Sequence, residues 1–249
     1  MPYFLILLAL FFVFPALAKN HQVAIVIDDI GYRATDAQVL TLPKNVTYSF
    51  LPHTPYGKRL AIKAHQRNSD ILLHIPMEAK NGKKMGPGGL HSSMNEDSIR
   101  ASLQKSFDEI PFAIGMNNHM GSLLTEKLQH MTWTMQFLKE RQHLFLDSMT
   151  TQESKAGNIA QKLGLITLRR QIFLDNQLSL QYISQQFNKL IAVAKAQHQA
   201  IAIAHPHPET VTALKRLIPL LKEHNIDLVP ISSLSLHIPS IENSIAVTE

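Results

Sequence analysis

Val23-Ala24-Ile25-Val26-Ile27-Asp28-Asp29-Ile30-Gly31 joins five consecutive apolar residues, rich in β-branched types, to two adjacent carboxylates. A run of that length and composition reads as a strand buried on both faces, the habit of parallel sheets covered by helices. Two carboxylates at its C-terminal end are costly unless a cation or a working proton compensates them. The bland alternative is that one Asp caps the helix starting near Ala34 while the other is solvated. Four further apolar runs also stop at polar residues: His74 after Ile71 to Leu73, Asn117, Asn118 and His119 after Ala113 to Met116, Asp147 after Leu144 to Leu146, and His205 after Ala200 to Ala204. In α/β folds the C-terminal strand ends are where ligands and catalysis gather.

Apolar runs near 23–28, 45–51, 70–75, 111–117, 143–147, 165–174, 200–204 and 226–231 alternate with segments of helical period. Residues 55–67, 123–141, 177–198 and 208–224 read as helices, and Asn95 caps another whose first turn holds Glu96 and Asp97. Such alternation predicts parallel strands joined by helical crossovers. Eight strands and seven crossovers favour a (β/α) barrel, complete or not, over a flat doubly wound sheet. No glycine-rich dinucleotide or nucleotide-phosphate motif follows any of these strands. Gly82, Gly86, Gly88 and Gly89 lie among Lys80, Lys83 and Lys84 and read as a loop over the strand ends.

At 249 residues the chain can bury one sizeable core. Residues 1–18 carry no charged side chain and close with Ala16-Leu17-Ala18, the small-x-small pattern of a signal-peptide cleavage site. The expectation is an exported, periplasmic protein with a domain over 19–237 and a tail over 238–249. Retention of the leader as an anchor is the alternative, although its apolar part is short for a span. No cysteine is present, which excludes disulfides, thiolate ligands and cysteine nucleophiles. Lys plus Arg number 24 against 19 Asp plus Glu, a net +5 without a dense basic stripe, so nucleic-acid binding is not expected.

His74 meets a proline-stiffened turn with Glu78 four positions on, at the same expected rim as the aspartate pair. Asn117, Asn118 and His119, flanked by Gly115 and Gly121, can orient a substrate or ligate metal. Asp147, Arg170 and Asp175 suit a supporting shell or structural ion pairs. His205, between a strand end and Pro206, titrates near working pH and can protonate a leaving group. No nucleophile-elbow context surrounds Ser122 or Ser148, so a serine triad is weakly supported.

Taken together, Ile25 to Gly31, Leu73 to Glu78, Met116 to Ser122, Leu146 to Ser148, Arg170 with Phe173 to Asp175, and His205 to Pro208 resemble the divergent polysaccharide deacetylases. These are a branch related to the metal-dependent polysaccharide deacetylases, and the resemblance spans about residues 21–236. It implies a distorted (β/α) barrel with mostly parallel strands, and an exported protein acting on envelope glycan. In the better-known relatives the first Asp of the pair acts as base, the second ligates a metal usually taken to be zinc, and an H-x-x-x-H motif supplies two histidines. This chain departs at the second motif, where Glu78 stands in place of a histidine.

The resemblance therefore implies a zinc ion held by Asp29 and His74, with either His119 or Glu78 completing the set. Asp28 would serve as base and His205 as proton donor, with Asn117 and Asn118 holding sugar hydroxyls or the developing oxyanion. The reaction implied is hydrolysis of an N-acetyl group on an envelope amino-sugar polymer or oligomer, without stable membrane insertion after leader removal. Three ligands should converge about 2.0–2.2 Å from one point. Two other classes stay in view: a degenerate deacetylase fold that binds envelope glycan or a cell-wall enzyme, and a metal-free glycoside hydrolase pairing Asp28 with Glu78 or Asp147.

Overall fold

The computed structural model describes residues 20–235. The leader over 1–18 and the tail over 238–249 lie outside the described residues. Among the described residues nine strands alternate with helical segments, except between β6 and β7: β1 (His21–Ile30), β2 (Thr47–Phe50), β3 (Ile71–Met77), β4 (Gly115–Met120), β5 (Leu144–Asp147), β6 (Thr167–Arg169), β7 (Ile172–Phe173), β8 (Gln199–Ala204) and β9 (Ile226–Leu228). The helices are α1 (Gly57–Gln66), α2 (Glu96–Glu109), α3 (Leu128–Glu140), α4 (Ala156–Lys162), α5 (Leu180–Gln197), α6 (Pro208–Leu217) and α7 (Ile231–Ser235), with 3-10 turns over Ala34–Thr41 and Ile218–His224. Asn95 caps α2 as expected, its Oδ1 accepting from the Ser98 N–H.

All strand pairs are parallel, and the sheet runs β6-β5-β4-β3-β2-β1-β8-β7, with β9 also on β1. The expected strand over 165–174 is divided. Its first part, β6, pairs with β5, and its second, β7, pairs with β8 at the opposite edge of the sheet. Only Arg170 and Gln171 separate them, and there the backbone changes partner: Arg170 N–H donates to Asp147 O, and Gln171 N–H to Ile201 O. The sheet is therefore curled until one short stretch of chain reaches both edges, which makes the (β/α) barrel a distorted one.

Period-2 alternation sorts the strand residues into two cores. Val23, Ile25, Ile27, Leu73, Ile75, Met116 and Phe145 face outward and pack under Leu60, Leu103, Met135, Phe187 and Leu214 of the helices. Ala24, Val26, Leu72, Leu144, Leu146, Leu168, Ile201 and Ile203 face inward, with Ile231 and Leu234 of α7 closing that inner core. Each fully buried Leu, Ile or Phe contributes about 1.5–3 kcal/mol, so the layered pattern, not any one contact, holds the fold.

Candidate metal centre and active site

The inward-facing phase of each strand continues past the inner core into polar side chains at the C-terminal end. Ala24 and Val26 are followed by Asp28, Leu72 by His74, and Ile201 and Ile203 by His205. Gly115 is followed by Asn117 and His119 on β4. A Cβ at 115 would sit 2.2 Å from the Leu144 carbonyl oxygen, so glycine is what lets β4 approach β5 there.

Asp29 breaks the alternation. Its φ is 58°, in the left-handed region that Asp tolerates better than most residues, and the β1–β2 register shifts between Ile27 and Ile30. This bulge turns the Asp29 carboxylate to the side that Asp28 already faces. Asp29 Oδ1 then lies 3.0 Å from His74 Nε2 and 2.7 Å from His119 Nδ1, and the two ring nitrogens are 3.2 Å apart. Among the described residues these three form the one group of ligand-type side chains gathered within 4.8 Å.

The donor set fits a divalent cation. Asp29 Oδ1 is buried without a satisfied hydrogen bond, although both imidazoles stand beside it. Three lone-pair donors facing one point, one of them orphaned, are what a cation would satisfy, and two histidines with one carboxylate are a known catalytic zinc donor set.

Burial pushes the Asp29 carboxyl up, but the neighbouring His119 and His74 outweigh it and hold the group well below the usual carboxylate range. Asp28 is only 2% exposed, and burial raises its carboxyl despite His74 and His205. Burial lowers His74, yet Asp28 and Asp29 together leave it raised. His205 is lifted to about 9: burial opposes its charge, and Asp175 overcomes the burial. Asp175 Oδ1 is 2.9 Å from His205 Nδ1, and its Oδ2 accepts from the His205 backbone N–H and the Thr210 hydroxyl. His205 Nε2 is left pointing toward the centre, 4.0 Å from Asp29 Oδ2.

The other expected site residues take supporting positions. Asn117 is fully buried and its amide is consumed by Asp28, Ser148, Ser49 and His74. The Asn118 amide accepts from Ser148 N–H and donates to Met120 O, tying the end of β4 to the loop after β5. Both buried amides are hydrogen-bonded to internal partners. Glu78 is not in the three-residue group; its carboxylate accepts from Ser92 N–H at 2.6 Å and anchors the glycine-rich loop. Asp147 belongs to the outward phase of β5 and accepts from Met149 N–H, Ser154 Oγ–H and Gly157 N–H at the start of α4. Arg170 donates to Ser148 O and Met149 O and lies over the Phe173 ring.

A cleft of ≈ 140 Å³ opens over the centre, lined by Asp29, His119 and His205 together with Tyr32, Arg33, Asp36 and His207. Tyr32, Arg33 and Asp36 carried no signal as site residues, since they lie beyond the strand end. Ser49 was also missed, though the alternation Thr47-Tyr48-Ser49-Phe50 marks it as the polar, inward phase of β2.

A family model for divergent polysaccharide deacetylases matches residues 25–235. An uncharacterized protein of Escherichia coli, YibQ, is 37% identical over 224 residues, 90% of this chain and 70% of that protein. The crystal structure of an uncharacterized protein from Agrobacterium tumefaciens superposes with a TM-score of 0.83 at 25% identity, covering 88% of this chain and 91% of that one. A family 4 carbohydrate esterase from Streptomyces lividans, solved in complex with acetate, shares the fold with a TM-score of 0.52 at 13% identity, covering 84% and 92%.

Proposed function

The chain belongs to the divergent polysaccharide deacetylase family, and from that premise we propose that it is a metal-dependent hydrolase removing N-acetyl groups from an envelope glycan. The observation that carries this reading is the convergence of Asp29, His74 and His119 on one point beside Asp28 and the His205–Asp175 pair. Asp29, His74 and His119 would hold a divalent cation, zinc by its donor set. Such an ion polarises a carbonyl and acidifies a water when bound.

The protein's own groups supply the rest. Asp28, buried and raised by that burial, has the proton affinity of a general base, and Asn117 holds both its oxygens by hydrogen bonds at 3.0 and 2.9 Å. His205, lifted to about 9, is protonated at neutral pH. Asp175 binds its Nδ1, so Nε2 is the end that donates a proton to the departing amine.

The cleft, at ≈ 140 Å³, is smaller than the about 300–1,000 Å³ of enclosed ligand pockets. It suits an acetamido group entering end-on, with the sugar lying across the lip where Tyr32 is 47% exposed. Residues 19–237 form the catalytic domain in this reading, and the leader directs export to the periplasm. No helix among the described residues is long and apolar enough to cross a membrane.

The competing classes draw less support. The motive for glycan binding without catalysis is Glu78 in place of a second histidine, and His119 stands beside His74. A carboxylate pair of Asp28 with Asp147 is disfavoured because Asp147 faces α4. The deciding experiment is metal analysis of the purified protein alongside acetate release from N-acetylated oligosaccharides. One equivalent of metal, and acetate release lost on chelation and restored by Zn2+, are expected. Absence of both would overturn the reading.

A further inference from the structure

One amide joins Asp28 to His74. Asn117 Nδ2 lies 3.0 and 2.9 Å from the two Asp28 oxygens and 3.1 Å from Ser148 Oγ. Its Oδ1 lies 2.6 Å from Ser49 Oγ and 2.9 Å from His74 Nδ1. All of these groups are buried, none more than 2% exposed.

With Asp28 ionised, as a general base must be, the inventory of donors and acceptors leaves one arrangement. An ionised carboxylate only accepts, so the end of the amide facing Asp28 is the NH2. The other end is then the carbonyl, which needs donors, and it receives the Ser49 hydroxyl and the N–H on His74 Nδ1. A neutral imidazole carrying its proton on Nδ1 has a bare Nε2, and Nε2 is the nitrogen 3.0 Å from Asp29 Oδ1 and 3.2 Å from His119 Nδ1. A flipped amide would set its carbonyl against the Asp28 carboxylate and its NH2 against Nδ1.

We propose that Ser49 and Asn117 are positioning residues that hold His74 in the Nδ1–H form, so that its bare Nε2 faces the cation position. Ser49 acts at one remove: its hydroxyl takes the second lone pair of the Asn117 carbonyl and opposes the flip. Partners of this kind, behind a ligating histidine, set both ring orientation and ligand basicity. The consequence for metal affinity rests on the proposed metal centre; the tautomer does not.

The test uses 15N-histidine-labelled protein, metal-free and at alkaline pH where the rings are neutral, with His74→Gln identifying the signal. Wild type is expected to show a pyrrole-type Nδ1 and a pyridine-type Nε2 at His74. Asn117→Ala and, to a smaller extent, Ser49→Ala should mix the tautomers. Zn2+ affinity, measured by competition with a chromophoric chelator, should fall about 10–100-fold in Asn117→Ala and less in Ser49→Ala. A proton on Nε2 in wild type overturns the proposal without recourse to any variant, as does an unchanged tautomer in both variants. The expected tautomer with no Zn2+ binding in wild type would overturn the metal centre and leave the relay standing.

Discussion

Asp29 brings its carboxylate to the same imidazole nitrogen that its neighbour Asp28 approaches: Asp29 Oδ1 and Asp28 Oδ2 lie 3.0 and 3.7 Å from His74 Nε2. Consecutive residues of a regular strand point to opposite faces, and the bulge at Asp29 is what cancels that rule. In the proposed function two roles, a buried base and a ligand with one face open to the cleft, thus come from one dipeptide.

Asp29→Asn and Asp29→Ala separate the ligand from the bulge. Asn tolerates the φ of 58°, whereas Ala is strained there by about 1–2 kcal/mol. Both variants should lose metal in equilibrium dialysis, and only Asp29→Ala should show a lower urea midpoint. Wild-type metal affinity in Asp29→Asn would remove Asp29 from the centre.

Gly31 has φ +144°, and a Cβ there would sit 2.1 Å from Thr54 Oγ1. Gly31→Ala should destabilise the protein by about 1–3 kcal/mol from backbone strain and should weaken metal binding by shifting the adjacent bulge. Chemical denaturation and chelator competition measure the two effects, and a variant of wild-type stability would show that the turn relaxes freely.

The His205 pKa near 9 lies above the 6.5 of an ordinary histidine, so the folded state binds this proton more tightly than the unfolded chain does. The stability it contributes is fully present below about pH 6.5 and is lost as pH rises through about 9. In chelator-treated protein the stability difference between wild type and His205→Gln should shrink across that window. A difference independent of pH would mean that Asp175 does not raise His205.

Asp147 is fully buried and accepts three hydrogen bonds on the α4 side of the sheet. Asp147→Ala leaves those donors unpaired and should cost about 2–3 kcal/mol. Metal affinity should be unchanged, because the carboxylate points away from the centre. A large loss of affinity at unchanged stability would instead tie Asp147 to the site.

Much of the barrel was legible because burial imposes a local pattern. The β-branched run ending at Asp28, the Asn95 cap and the amphipathic helices are all short-range signals, and the strand ends marked where polar residues would collect. The division of 165–174 into β6 and β7 carried no such signal, since each half pairs with a strand on a different edge of the sheet. The role of Glu78 was hidden for a related reason: its spacing from His74 is that of a ligand pair, but β3 ends at Met77 and its carboxylate turns to Ser92.

The sequence by itself determined which residues lie at the C-terminal strand ends, because alternation and apolar run length are properties of neighbours along the chain. It also determined that Asp28, Asp29, His74, His119 and His205 share one end of the barrel. Only the tertiary structure decided which of them meet. The bulge at Asp29, the close approach of β4 allowed by Gly115, and the amide of Asn117 between β1 and β3 depend on strands far apart in sequence. Hydrogen-bond direction and strand register act across those separations, and no local pattern encodes them.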